Sequence, residues 1–165
     1  MEETALGVIP NLRKHSFLGT GPTYTLVITD RRLVFAQLTK QMLKDAAAAA
    51  QQLGKAEGKG FFSRWGDQFQ ALATLHKRYL EMPADSILAE TAGNFAIENT
   101  AVLGVTITEE GDSQSDAPSK PRTKLKLKTD TDTLHLDADR FRTEWVDLLR
   151  SALGDRVTCK AVFFS

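Results

Sequence analysis

Tyr24-Thr25-Leu26-Val27-Ile28-Thr29-Asp30-Arg31-Arg32-Leu33-Val34-Phe35-Ala36-Gln37-Leu38 decides the fold. β-branched and aromatic residues flank a polar corner at Asp30-Arg31, the signature of a hairpin. In the first strand Tyr24, Leu26 and Ile28 alternate with Thr25, Val27 and Thr29, so one face is apolar. In the second strand both faces are apolar: Leu33 and Phe35 on one, Val34, Ala36 and Leu38 on the other. A strand of that kind needs a cover on both sides.

The segment that follows offers one. Thr39 can cap a helix. Met42, Leu43, Ala46, Ala47, Ala50 and Leu53 recur at helical spacing, and five consecutive alanines strengthen that reading. Gly54 to Gly60 breaks it. A second helix is expected from about Phe62 to Glu81. Its stripe of Phe62, Trp65, Phe69, Leu72, His76 and Tyr79 is spaced alternately three and four, the seam of an antiparallel helix pair. Residues 39–82 thus read as a helical hairpin, and a short turn from Pro83 through Ile87 and Leu88 completes a helical insertion over 39–90. The expected contact is between residues 42–53 and one face of the Leu33–Leu38 strand.

Upstream, residues 4–19 read as a long edge strand bent at Pro10-Asn11. Downstream, Phe95-Ala96-Ile97 and Val102–Ile107 are strands, and residues 109–121 form a polar loop of expected high mobility. Arg122–Lys128 alternates strictly with Leu125 and Leu127 inward, and Leu134 and Leu136 point inward in the seventh strand. Asp137 is a candidate cap for a last helix with the stripe Phe141, Trp145, Leu148, Leu149 and Ala152, ended by Gly154. The tail from Val157 to Phe164 is apolar and β-prone.

The wording Tyr-x-Leu-x-x-Thr-Asp-x-Arg-Leu-x-Phe resembles a recurring hairpin of bacterial and archaeal pleckstrin-homology-like (PH-like) domains and the related GRAM domains. The resemblance covers residues 4–38 and 95–153, with a Trp-bearing last helix. It implies an α+β fold, mainly antiparallel β: a seven-stranded, partly open barrel capped by a C-terminal helix. The inserted helical hairpin would lie between the third and fourth strands, all within one domain over 1–165.

Bulk properties exclude several classes. The chain has 165 residues, 42% of them apolar, with 21 basic and 21 acidic side chains. A chain of this size buries roughly two-thirds of its unfolded surface and needs no metal or disulfide staple. Zero net charge argues against coating nucleic acid. One cysteine, Cys159, allows no intrachain disulfide, which suits a reducing compartment. The acidic start lacks a signal-peptide pattern, and no apolar run approaches the ~20 residues of a membrane span, so a cytoplasmic location is expected.

Candidate sites are few. Gly54-Lys55-Ala56-Glu57-Gly58-Lys59-Gly60 lacks the glycine spacing and the hydroxyl of a phosphate loop, and a helix precedes it, so no nucleotide site is expected. Lys59, Phe61, Phe62, Arg64 and Trp65 form a basic and aromatic tip suited to a membrane interface, although Phe62 and Trp65 also fit the helix seam. Arg122, Lys124, Lys126 and Lys128 share one strand face, either to meet phosphates or acidic peptide, or as a solvated, edge-protecting row neutralised by Asp130, Asp132 or Asp137. Members of the family it resembles that bind lipid often use basic residues on the first strand, where this chain has Arg13, Lys14 and His15. Consecutive strand residues alternate faces, so these cannot share one pocket.

His15, His76 and His135 lie far apart and Cys159 has no nearby histidine, so no metal, cofactor or catalytic residue is expected. The expected function is a non-enzymatic interaction module for a protein or peptide partner, with a second copy of the chain as a further candidate partner through the insertion. A lipid sensor using the Phe61 tip, on an anionic membrane surface, is the alternative, and a small-ligand carrier a weaker third.

Overall fold

The computed structural model describes residues 3–16, 19–42, 44, 48, 77–110, 122–138 and 142–160. The side chains of His15, Ser16, Thr20, Glu110 and Arg122 lie outside that description. The fold is α+β, with a mainly antiparallel open sheet of eight strands and few helices. In chain order come β1 (Ala5–Ser16), β2 (Gly19–Thr29) and β3 (Arg32–Gln37), then α1 (Ala84–Glu90). They are followed by β4 (Phe95–Glu98), β5 (Val102–Glu110), β6 (Arg122–Thr129), β7 (Thr133–Ala138), α2 (Thr143–Leu153) and β8 (Val157–Cys159). The strand order across the sheet is β4-β3-β2-β1-β7-β6-β5-β8.

The quoted hairpin forms β2 and β3 in the register its corner dictates: Leu26 faces Phe35 and Ile28 faces Leu33. Thr29 closes the corner. Its hydroxyl oxygen accepts from the amides of Arg31 (3.2 Å) and Arg32 (2.9 Å). Inward residues of all the strands share one core with α2: Ile9, Leu26, Phe35, Val105, Leu125 and Leu136 are each at most 1% exposed. Phe95 and Ile97 of β4 and Val157 of β8 pack into the same cluster, so the sheet curls around it. Val146, Leu149 and Leu153 are the buried stripe of α2, and Gly154 ends the helix at φ 65°, a conformation that glycine adopts at least cost.

The outer face of β2 and β3 is also buried. Val27, Val34 and Ala36 form a second cluster with Tyr79, Ala84 and Ile87. The cover that β3 demands is therefore present, and among the described residues Tyr79, Met82, Ala84, Ile87 and Leu88 supply it together with Met42. Of the expected segment 42–53, Met42 packs there and Lys44 and Ala48 are exposed; its other residues lie outside the described residues. Leu38 is half-buried and outside this cluster. Thr39 does act as a cap, accepting from the Met42 amide at 3.1 Å. Most of the expected hairpin over 39–82 lies outside the described residues; at its end, Arg78–Leu80 is a 3-10 turn with Tyr79 buried.

Three further expectations change and one holds. β1 is not an edge strand, because it pairs with β2 along its length and with β7 at Arg13 and Lys14. The bend at Pro10-Asn11 is real: a register shift separates Ile9 from Leu12, and Asn11 takes φ 59°. Asp137 does not cap α2; it is buried within β7, and Arg142 precedes the helix with no side-chain cap. The start of the apolar tail is an eighth strand, β8, parallel to β5, with the Lys160 amide donating to Ile107 O. Residues 161–165 and most of the expected 109–121 loop lie outside the described residues. No described helix is long and apolar enough to cross a membrane.

Candidate functional site

β6 carries the chemistry that the described residues offer. Strict alternation sends Leu125 and Leu127 into the core and Lys124, Lys126 and Lys128 to the exposed face. Residues two apart on a strand stand about 7 Å apart, so the three amines form a ladder spanning about 14 Å. β6 is an internal strand between β5 and β7, so protection of a sheet edge does not account for them.

The neighbouring strands define the rest of the face. Thr108 and Asp137 flank Lys124, Thr106 and His135 flank Lys126, and Gly104 and Thr133 flank Lys128. Thr106, Thr108, Lys124, Lys126, His135 and Asp137 line a shallow depression of about 350 Å³. Asp137 is 6% exposed and stands between Lys124 on β6 and Arg13 on β1. It therefore sets one negative group at one end of the lysine ladder. Asp130 and Asp132 lie in the β6–β7 turn beyond Lys128 and line a different depression. The outcome is a hydroxyl-bearing, basic surface with a histidine in its middle, suited to holding carboxylates or phosphates by charge-assisted hydrogen bonds.

The expected sites divide accordingly. Lys124, Lys126 and Lys128 are brought together as read, and Arg122 continues their strand opposite Glu110. His135 joins them; sequence reasoning passed over it because the cross-strand register is needed to place it beside Lys126. Arg13 and Lys14 do take opposite faces. Arg13 stands across from Asp137, while Lys14 turns inward with its amine 5.7 Å from the centre of the Phe95 ring. Cys159 is half-buried on β8. Lys59, Phe61, Phe62, Arg64, Trp65, His76 and the Gly54–Gly60 stretch lie outside the described residues.

Comparison with known proteins adds little to this picture. No protein-family model matches the chain, and no curated protein matches it. Among solved structures, the C-terminal domain of an unknown protein from Leishmania infantum is similar at 15% identity and a TM-score of 0.44, covering 92% of this chain and 84% of that one. At that score the likeness carries no argument about fold or function.

A second depression lies beside β4. Phe95 and Ile97 of β4, Leu134 of β7 and Lys14 line it, with Glu98, Asp130 and Asp132 at its exposed margin. The Phe95 ring stacks on Phe35 at 4.6 Å and meets Tyr24 edge-on at 5.4 Å. Burial raises the Tyr24 phenol above its ordinary value, which keeps it neutral inside this aromatic cluster.

Proposed function

We propose that this chain is a PH-like, non-enzymatic interaction module that binds an acidic protein segment on the outer face of β6. Support for the PH-like part is the order of elements. Seven antiparallel strands come first, with helical residues between the third and fourth, and a Trp-bearing helix follows and packs on the core. Under this reading β8 is an addition to the seven-stranded plan.

The observation that carries the binding reading is the contrast between the two outer faces. The chain covers the apolar outer face of β2 and β3 with its own residues 79–88, but leaves Lys124, Lys126, Lys128 and His135 exposed. An extended peptide with an acidic residue at every second position has the same period of two as the ladder and can meet each amine in turn. Charge-assisted pairs at such a face raise the association rate and weaken with salt.

A capped octapeptide of alternating glutamate and valine is the probe. It should shift the NMR signals of Lys126 and His135, with affinity falling as salt rises. The double variant Lys124→Glu/Lys126→Glu should weaken binding at least tenfold, about 1.4 kcal/mol, while circular dichroism stays unchanged. Equal affinity for wild type and variant sinks the proposal.

A further inference from the structure

The two edges of the sheet are treated differently. Among the described residues, one edge is the three-residue β8, parallel to β5, and the other is β4, which is hydrogen-bonded to β3 on one side and has no strand on the other. Which β4 groups face outward follows from one bond beyond the ladder. The Asn99 amide donates to Arg31 O at 2.9 Å, and residues 31 and 99 continue the register that pairs Leu33 with Ile97 and Phe35 with Phe95. Antiparallel pairs alternate between bonded and unbonded. Ile97 and Phe95 are therefore the bonded partners, and the N–H and C=O groups of Ala96 and Glu98 are directed away from β3.

Among the described residues, this edge carries none of the sequence devices that block pairing. Phe95-Ala96-Ile97-Glu98 has no proline, no lysine and no register shift against β3. Beside it lies the depression of about 420 Å³ lined by Phe95, Ile97 and Leu134. Its charge is lopsided, with Glu98, Asp130 and Asp132 against the single amine of Lys14, which the Phe95 ring already holds.

We propose that β4 is a strand-addition site for an extended, basic segment of a partner protein. Main-chain groups of that segment bond to Ala96 and Glu98. Alternate lysines lie over the depression, with their methylene stems on Phe95 and Ile97 and their amines at Asp130 and Asp132. The intervening apolar residues stand beside Ala96, which packs at the margin of the outer apolar cluster. Charge complementarity fixes the occupant as basic, the reverse of the segment proposed for the β6 face, so the two proposals stand or fall separately.

The test uses the full chain and a capped octapeptide of alternating lysine and valine, with the glutamate–valine peptide as control. The lysine peptide should slow amide exchange at Ala96 and Glu98 about tenfold, without changing that of Ile97. Ala96→Pro deletes an outward N–H that the β3 ladder does not use, and should abolish this protection. Should that variant unfold, Asp130→Lys and Asp132→Lys provide the measurement, each expected to weaken binding about tenfold. Lys124→Glu/Lys126→Glu should leave it intact. The proposal is overturned if the peptide leaves the Ala96 and Glu98 amides unprotected, or if the charge reversals do not change its affinity. Signal changes at the β6 face in place of β4 overturn it equally.

Discussion

Thr29 shows how much a single hydroxyl contributes to this fold. Its oxygen accepts from two amides at the β2–β3 corner, and Thr129 repeats the arrangement at the β6–β7 corner, accepting from Thr131 and Asp132. The Thr-Asp pair was legible in the sequence as a turn, because both residue types hydrogen-bond nearby backbone. The division of labour was not: Asp30 reaches instead to the Thr4 amide at 2.9 Å and ties down the start of β1. Thr29 is 2% exposed, so Thr29→Val should cost about 1–2 kcal/mol in urea unfolding, and Thr29→Ser should retain most of the stability. Tyr79 gives a second test. Burial raises its phenol above the usual value; hydrogen bonding from Arg78 opposes this and the Glu90 carboxylate adds to it. The folded state thus keeps the proton more tightly than the unfolded chain does. Its contribution is complete below about pH 10 and is lost as pH rises through the folded value. Stability should fall above pH 10, less steeply in Tyr79→Phe. Some slope should survive there, because Tyr24 is raised too.

At the scale of elements, the strand that is apolar on both faces foretold a cover but not which segment supplies it. Adjacency and alanine content favoured residues 42–53. Among the described residues Met42 joins the cover, and α1 adds Ala84 and Ile87 from a position that rests on polar anchors that no periodicity reveals. Asn94 donates from Nδ2 to Ile87 O at 2.7 Å and accepts from the Gln37 amide at the end of β3. Arg32 bridges Asp85 of α1 (2.8 Å) and Glu3 (3.0 Å), and these two carboxylates hold its guanidinium firmly in the charged form. Ile87 is fully buried against Val34 and Ala36. Ile87→Ala should therefore destabilise by about 3 kcal/mol and increase binding of a hydrophobic dye at the uncovered face. Lys44→Ala, at an exposed position in the expected cover, should change stability by under about 0.5 kcal/mol. The lysine ladder was fully legible, since alternation alone separates Lys124, Lys126 and Lys128 from Leu125 and Leu127. Its meaning required the topology, because a row on an internal strand has no edge to protect.

For the whole molecule, the fold turns on the short passage from β4 to β5, where the chain leaves one edge of the sheet and re-enters it at β5, next to the last strand on the other side. Asn99 is 6% exposed there and donates to Thr29 O at 3.1 Å, while its backbone bonds Arg31. From the far end of the chain, Arg156 completes the junction. Its Nη1 donates to Asn99 O and to Val102 O (2.8 Å), and its Nε donates to Leu153 O at 2.8 Å. One guanidinium thus joins the end of α2, the entry to β8 and the β4–β5 passage. Nothing local in the sequence marks Arg156, because two of its three partners are 54 and 57 residues away and all three are backbone carbonyls. The parallel pairing of β8 was hidden for the same reason: an apolar tail announces strand propensity, but not which strand it joins. Arg156→Ala leaves half-buried carbonyls without their donor and should cost about 2–3 kcal/mol. Arg156→Lys should recover little, since one ammonium cannot reproduce a planar fork reaching three carbonyls. Amide exchange should show where the loss falls. If Arg156 holds the junction, Arg156→Ala speeds exchange at Lys160, whose amide bonds Ile107, and at Asp130, whose amide bonds Ala101, before it affects the β2–β3 hairpin. Uniform loss across the sheet would instead make Arg156 an ordinary contributor to a single cooperative core.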